Sequence, residues 1–135
     1  MRYLLDVNVL VAWGWADHAD HERAARWIHR IRKKKGDHLL TSAIPQLGFV
    51  RVSVQRTGGQ ILPEAAGQVL AGMLRSLGAA HQFVPDDQEA VRWPAWCTAA
   101  ARTTDAHLIE LATIHGAKLA TLDQGIPGAI VIDVS

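Results

Sequence analysis

The chain has few of the residues that disulfide bonds or a membrane-spanning segment would require. Its 135 residues include one cysteine, Cys97, which excludes an internal disulfide and suits a reducing compartment. No apolar run approaches the roughly 18 residues of a membrane span. The first acidic residue, Asp6, comes too early for the apolar core of a signal peptide. We therefore expect a cytoplasmic protein without a membrane segment.

Net charge is also low, at +1, but it is unevenly distributed along the chain. Residues 1–60 carry ten Lys and Arg against five Asp and Glu, whereas residues 61–135 carry four against eight. A basic stripe in the first part could follow a phosphate backbone. It could equally be the solvated face of a helix whose last cations suit the helix dipole. The stripe consists of Arg23, Arg26, Arg30, Arg32, Lys33, Lys34 and Lys35.

Apolar residues, at 49%, and charged residues, at 20%, are present in the proportions of an ordinary globular protein. A chain of this length fits one core, and no linker or repeat divides it. We therefore expect a single domain over residues 1–135.

Short apolar stretches alternate with segments of helical periodicity. The predicted strands lie at 3–5, 39–41, 81–84, 118–122 and 129–132, and helices are predicted to begin near Asn8, Asp20, Ser42, Pro63 and Thr103. This alternation predicts an α/β fold, a three-layer α/β/α sandwich with a short, mostly parallel five-stranded sheet. A further short helix is predicted to start at Asp86 and Asp87.

The helix after the second strand is predicted to turn one apolar face towards the core. The spacing assigns that face to four residues, Ile44, Leu47, Val50 and Val54.

Three aspartates stand where strands end or the next helices begin, namely Asp6, Asp105 and Asp123. Each alone could be a helix cap or a turn residue. In parallel sheets, however, ligands gather beyond the carboxyl ends of the strands. Three converging carboxylates repel one another unless a cation or protons neutralise them. Oxygen ligands favour hard cations, so Mg²⁺ or Mn²⁺ is the expected partner.

The motifs around these aspartates resemble those of a known family. The segment Leu4–Leu10 is similar to the opening motif of the PIN domain. The segments Thr104–Leu108 and Ala120–Ile126 are similar to its two closing motifs, with matching order and spacing. The similarity runs over nearly the whole chain, and PIN domains of this size resemble the VapC toxins of bacterial toxin–antitoxin pairs.

The resemblance implies a metal-dependent endoribonuclease that cuts RNA with Mg²⁺ or Mn²⁺ and is held inactive by a VapB-like antitoxin. It implies that Asp6, Asp105 and Asp123 bind metal, and that Asn8 and Thr121 hold those carboxylates or the attacking water. A homodimer is expected on the same ground.

The chain departs from the family pattern at Gln46, where a glutamate usually follows the second strand. Glutamine keeps a carbonyl oxygen but removes one negative charge, so we expect weaker metal binding and a less favourable second metal site.

The sequence is less specific about the roles of four other polar residues. Arg51 could contact an RNA phosphate or pair with an acid, and His107 could touch substrate or only cap or pair. His18 and His21 are expected to be solvated or to start a helix, since few other ligands surround them.

Two alternatives differ in class. A haloacid-dehalogenase or receiver domain also groups aspartates at strand ends. The first, however, needs an aspartate where Asn8 stands, and the second needs a lysine at the end of the last strand, where this chain has Ile132 and Asp133. A PIN-like module weakened in catalysis by Gln46 could instead act mainly through protein or RNA binding.

Overall fold

The computed structural model describes residues 1–133, so Val134 and Ser135 of the expected domain lie outside the described residues. Within residues 1–133, no helix is both long enough and apolar enough to cross a bilayer. The elements are β1 Arg2–Leu5, α1 Val7–Gly14, α2 His21–Lys33, β2 His38–Thr41, α3 Ala43–Arg56, α4 Pro63–Leu77, β3 His81–Phe83, α5 Thr103–Ile114, β4 Lys118–Thr121 and β5 Ile130–Val131, with 3₁₀ turns at Gly78–Ala80 and Ala100–Arg102.

The five strands form one sheet in the order β3-β2-β1-β4-β5. Every pairing in it is parallel, and β1 lies at the centre between β2 and β4. Parallel neighbours need crossover connections, and the helices provide them. The predicted parallel α/β sheet is confirmed.

Helices cover both faces of the sheet, because successive residues of a strand point in opposite directions. In β1, Leu5 packs into a core with α1 to α4, whereas Leu4 packs against α5 on the other side. The neighbouring strands repeat this division, with Leu39 and Ala120 on the first face and Leu40 and Leu119 on the second. The three-layer arrangement is therefore confirmed.

Helix α3 buries the predicted face only in part, since Ile44 and Val50 are partly buried against the two cores whereas Leu47 is not. Leu47 is 65% exposed. The buried residues are Pro45, Gly48, Phe49 and Ser53. A Cβ at Gly48 would lie 2.5 Å from Cγ2 of Val7, so α3 approaches the first turn of α1 at a point that only glycine fits. This close contact places Gly48 and Phe49 on the buried side of α3 and leaves Leu47 exposed.

The predicted short helix at Asp86 and Asp87 is wrong, since residues 84–99 contain neither helix nor strand. The carboxylate of Asp86 accepts a hydrogen bond from the backbone N–H of Gln88 at 3.2 Å and lies 2.6 Å from Nε2 of His107 in α5. This long-range contact ties the start of the irregular segment to α5.

The close approach of α3 to α1 gives a stability prediction. We expect Gly48→Ala to lower the free energy of unfolding by about 1–3 kcal/mol, the usual cost of overpacking. Gly67→Ala is the matched control, because Gly67 lies inside α4 with nothing within 4 Å of an added Cβ. It should raise stability by about 0.5–1 kcal/mol through helix propensity. Urea unfolding followed by circular dichroism measures both, and a stabilised Gly48→Ala would contradict the packing described.

Candidate active site

Three acidic side chains meet at the carboxyl edge of the sheet. Asp6 follows β1, Asp123 lies two residues beyond β4, and Asp105 is in the first turn of α5. One carboxylate oxygen from each lies within 4.8 Å of the other two. Since β1 and β4 are parallel neighbours, their carboxyl ends bring Asp6 and Asp123 together, and α5 returns across the sheet to add Asp105.

Asp6 is buried, with 5% of its surface exposed, and its two oxygens are held from different sides. Oδ1 accepts the backbone N–H of Val7 at 2.7 Å, at the start of α1. Oδ2 accepts the hydroxyl of Thr121 at 2.8 Å. The carboxylate therefore has a fixed orientation.

The hydroxyl of Thr121, which is fully buried, organises the strand end around it. Its oxygen accepts the amide of Asn8 at 3.1 Å and the backbone N–H of Asp123 at 3.1 Å. Asn8 in turn accepts the backbone N–H of Leu122 at 3.1 Å. Asn8 and Thr121 thus connect the ends of β1 and β4 on which Asp6 and Asp123 stand.

The acids shift one another's ionisation. Burial raises the pKa of Asp6; the hydrogen bonds from Thr121 and Val7 oppose this, while the charges of Asp105 and Asp123 add to it. Burial and the charge of Asp123 also raise the pKa of Asp105, against a lowering by Arg102. The cluster is therefore poorly compensated by the protein's own cations.

The acids open onto a cavity of about 370 Å³. Arg51, an exposed residue of α3, lines the same cavity and makes no hydrogen bond or ion pair with the rest of residues 1–133. His18, from the loop between α1 and α2, lines it too. A cation and an imidazole therefore border the same space as the acidic cluster.

Gln46 is partly buried in the second turn of α3 and does not line that cavity. Its amide donates to the hydroxyl of Thr41 at 3.0 Å, and that hydroxyl lies 2.6 Å from Nε2 of His81. Thr41 ends β2, beside the central strand that leads to Asp6. Gln46 thus points to Thr41 and not into the cavity of the three aspartates.

His107 is two residues beyond Asp105, yet the structure places its side chain elsewhere. It pairs with Asp86 and borders a separate cavity of about 500 Å³ between α5 and residues 88–96. The acidic cluster and this pair therefore occupy different surfaces of α5.

Two residues near the site received no functional expectation from the sequence. His18 lines the acidic cavity, although its sequence context indicated a solvated residue. Arg102 donates to the carbonyl of Gly125 at 2.7 Å and lies over the ring of Trp96. For Arg102, the sequence offered one indication, its position three residues before Asp105. For His18 it offered none, because only the fold brings this residue to the cavity.

The donor set fits a hard divalent cation. Two oxygens bound to one Mg²⁺ at about 2.1 Å each are at most about 4.2 Å apart. Only one pair among three such oxygens can lie opposite each other in an octahedral site, and neighbouring ligands are about 3 Å apart, so from the observed limit of 4.8 Å the side chains close by up to roughly 1–2 Å on binding. All three donors are carboxylate oxygens, which suit Mg²⁺ and Mn²⁺ rather than softer metals.

Known proteins are similar to this chain over nearly its whole length. Residues 3–129 match the family model described as PIN domain. The chain is 37% identical over 132 residues to ribonuclease VapC39 of Mycobacterium tuberculosis (strain ATCC 25618 / H37Rv), covering 93% of this chain and 91% of that protein. It is 38% identical over 129 residues to ribonuclease VapC38 of the same strain, covering 91% and 86%. With ribonuclease VapC44 it shares 37% over 141 residues, covering 96% and 94%. The chain belongs to the PIN domain family.

Proposed function

We propose that this chain is a VapC-type toxin, an endoribonuclease that hydrolyses RNA phosphodiester bonds with Mg²⁺ or Mn²⁺. The observation that carries the proposal is the cluster of Asp6, Asp105 and Asp123, whose oxygens lie within 4.8 Å of one another beside an open cavity. The similarity to proteins named ribonuclease supports the same reaction.

The three aspartates are proposed to hold the cation. Bound there, it would polarise a phosphoryl oxygen and lower the pKa of water, which removes the need for a covalent nucleophile. Asp6 is held rigidly by Thr121 and Val7, so little side-chain freedom is lost when it binds. Asp105 and Asp123 are more exposed than Asp6 and are proposed to move closer to it when the cation binds.

The other residues of the site are proposed to position these acids and the substrate. Thr121 and Asn8 fix the relative placement of the two strand ends through the hydrogen bonds between them. Arg51 is placed to contact an RNA phosphate, since it borders the cavity and pairs with no acid in residues 1–133.

The proposed function also implies an inhibitor, an oligomeric state and a cellular location. We propose a VapB-like antitoxin as the inhibitor, a homodimer as the working form and the cytoplasm as the location. These follow from membership in the family and from the resemblance to VapC toxins.

A PIN-like module that binds protein or RNA with little turnover is the second candidate. It is favoured by Gln46, whose amide is engaged by Thr41 and adds no negative charge to the site. Incubation of purified protein with structured RNA and Mn²⁺, with chelator as control, separates the two, because only the enzyme produces metal-dependent cleavage products.

Loss of one acid should abolish that cleavage. We expect Asp105→Asn to reduce the rate by on the order of 100-fold or more, since the cation contributes several kcal/mol to the transition state. Glu110→Gln is the matched control, because it removes the same charge from an exposed position of the same helix. Equal losses in both variants, or none in Asp105→Asn, would count against the proposed site.

The crowded acids also predict a pH-dependent stability. The raised pKa values of Asp6 and Asp105 mean that the folded protein holds protons more tightly than the unfolded chain. The free energy of unfolding of the metal-free protein therefore falls as pH rises from about 3.8, the usual value, through the raised values. Asp105→Asn should be more stable than wild type at pH 7 without metal, and the gain should shrink towards pH 4. Chemical unfolding at several pH values tests this, and a gain that does not change with pH would refute it.

Restoring the family's carboxylate should strengthen the site. Gln46→Glu adds a negative charge beside the carboxyl end of β2, the strand next to β1, at the cost of the hydrogen bond to Thr41, and we expect Mn²⁺ affinity to rise on the order of 10-fold. Cleavage at low metal should rise with it. Gln46→Ala removes the amide without adding charge and should show no gain. Calorimetric titration of Mn²⁺ measures the affinity, and equal values for wild type and Gln46→Glu would show that a charge at this position does not act on the metal.

A further inference from the structure

His18 lies in the loop that joins α1 to α2, twelve residues after Asp6 and far in sequence from the other two acids. Its side chain nevertheless lines the cavity that the three aspartates share. The acids reach this cavity from strand ends and from α5, whereas His18 reaches it from the loop. It therefore adds a different kind of polar group to the same space.

The loop is anchored to α3. Nε1 of Trp15 donates to the hydroxyl of Ser53 at 3.0 Å. The guanidinium of Arg56 lies 5.0 Å from the centre of the Trp15 ring and donates to Asp17 at 2.9 Å. Because these contacts flank His18 on its N-terminal side, the imidazole is carried by a fixed segment of chain.

A backbone hydrogen bond sets the tautomer of His18. The N–H of Asp20 donates to Nδ1 of His18 at 3.0 Å. A backbone N–H can only donate, so Nδ1 is the acceptor and carries no hydrogen. In the neutral ring the hydrogen is then on Nε2, which has no hydrogen-bond partner within residues 1–133. His18 thus keeps one free N–H donor.

This donor is suited to an anion and not to a cation. An Nε2 that carries hydrogen has no lone pair for a metal, and the opposite tautomer would break the bond from Asp20. Arg51 borders the same cavity and also offers only donors. Beside an acidic cluster, two such groups are complementary to a phosphate that approaches the acids together with its cation.

We infer that Nε2–H of His18 donates a hydrogen bond to a phosphate oxygen of the RNA strand bound in this cavity, next to Arg51. The inference rests on the proposed ribonuclease function and adds a substrate-binding residue to it. The Asp20 hydrogen bond holds the ring so that this donor is available before RNA binds.

Three substitutions at His18 separate the free donor from the loop contact. His18→Gln keeps a donor near the position of Nε2, His18→Asn keeps an acceptor near that of Nδ1, and His18→Ala keeps neither. We expect kcat/KM for RNA to fall about 10- to 100-fold in the Ala and Asn variants, as for a lost hydrogen bond to a charged group. His18→Gln should stay within about 3-fold of wild type. His29→Ala, on the exposed side of α2, is the control and should cleave as wild type does.

Two further measurements give readouts other than cleavage. In an Asp105→Asn background, anisotropy of a fluorescein-labelled single-stranded RNA should show on the order of 10-fold weaker binding when His18→Ala is added. In the otherwise unchanged chain, calorimetry should give the same Mn²⁺ affinity for His18→Ala as for wild type.

The outcomes decide between the inference and its rivals. Unchanged cleavage and RNA binding in His18→Ala would overturn it, and so would recovery by His18→Asn alone, which would assign His18 to the loop. A loss of Mn²⁺ affinity would make His18 a metal ligand and overturn it as well. If the wild type cleaves no RNA, the proposed function fails, while the binding comparison still tests the contact of His18 with phosphate.

Discussion

Three carboxylates held within 4.8 Å of one another at one edge of a sheet are the constraint on which this molecule depends. Their mutual repulsion and partial burial raise the pKa values of Asp6 and Asp105, so the fold carries an electrostatic cost when they are ionised. The hydroxyl of Thr121 offsets part of that cost by bonding to Asp6. A divalent cation would neutralise the rest, so the repulsion that lowers stability without metal is also what favours metal binding.

The topology explains why these acids meet. With β1 between β2 and β4, the carboxyl ends of the two strands that carry Asp6 and Asp123 are neighbours. Helix α5 packs on one face and starts at the same edge, while α1 and α3 meet at Gly48 on the other. Arg51, one turn beyond Gly48, is thereby brought to the cavity. The position of the Arg51 guanidinium therefore depends on the contact between Gly48 of α3 and Val7 of α1.

The sequence predicts the parallel sheet and the strand-end acids because both follow from local patterns, apolar runs that end in aspartate. Other features depend on contacts between distant segments. Leu47 is exposed because α3 turns Gly48 towards Val7, and the carboxylate of Asp86 is paired with His107, 21 residues further along the chain. His18 reaches the cavity only because its loop is tied to α3. The periodicity of apolar residues within one segment cannot predict these contacts, because their partners lie in other segments of the chain.

The central claim is that Asp6, Asp105 and Asp123 hold one divalent cation together. The most direct measurement is an anomalous difference map from crystals grown with Mn²⁺. The account predicts a peak bonded to a carboxylate oxygen of each aspartate at about 2.0–2.2 Å, the range for hard divalent ions and oxygen. A well-ordered site with no peak at millimolar Mn²⁺, or a peak bound by other residues, would contradict it.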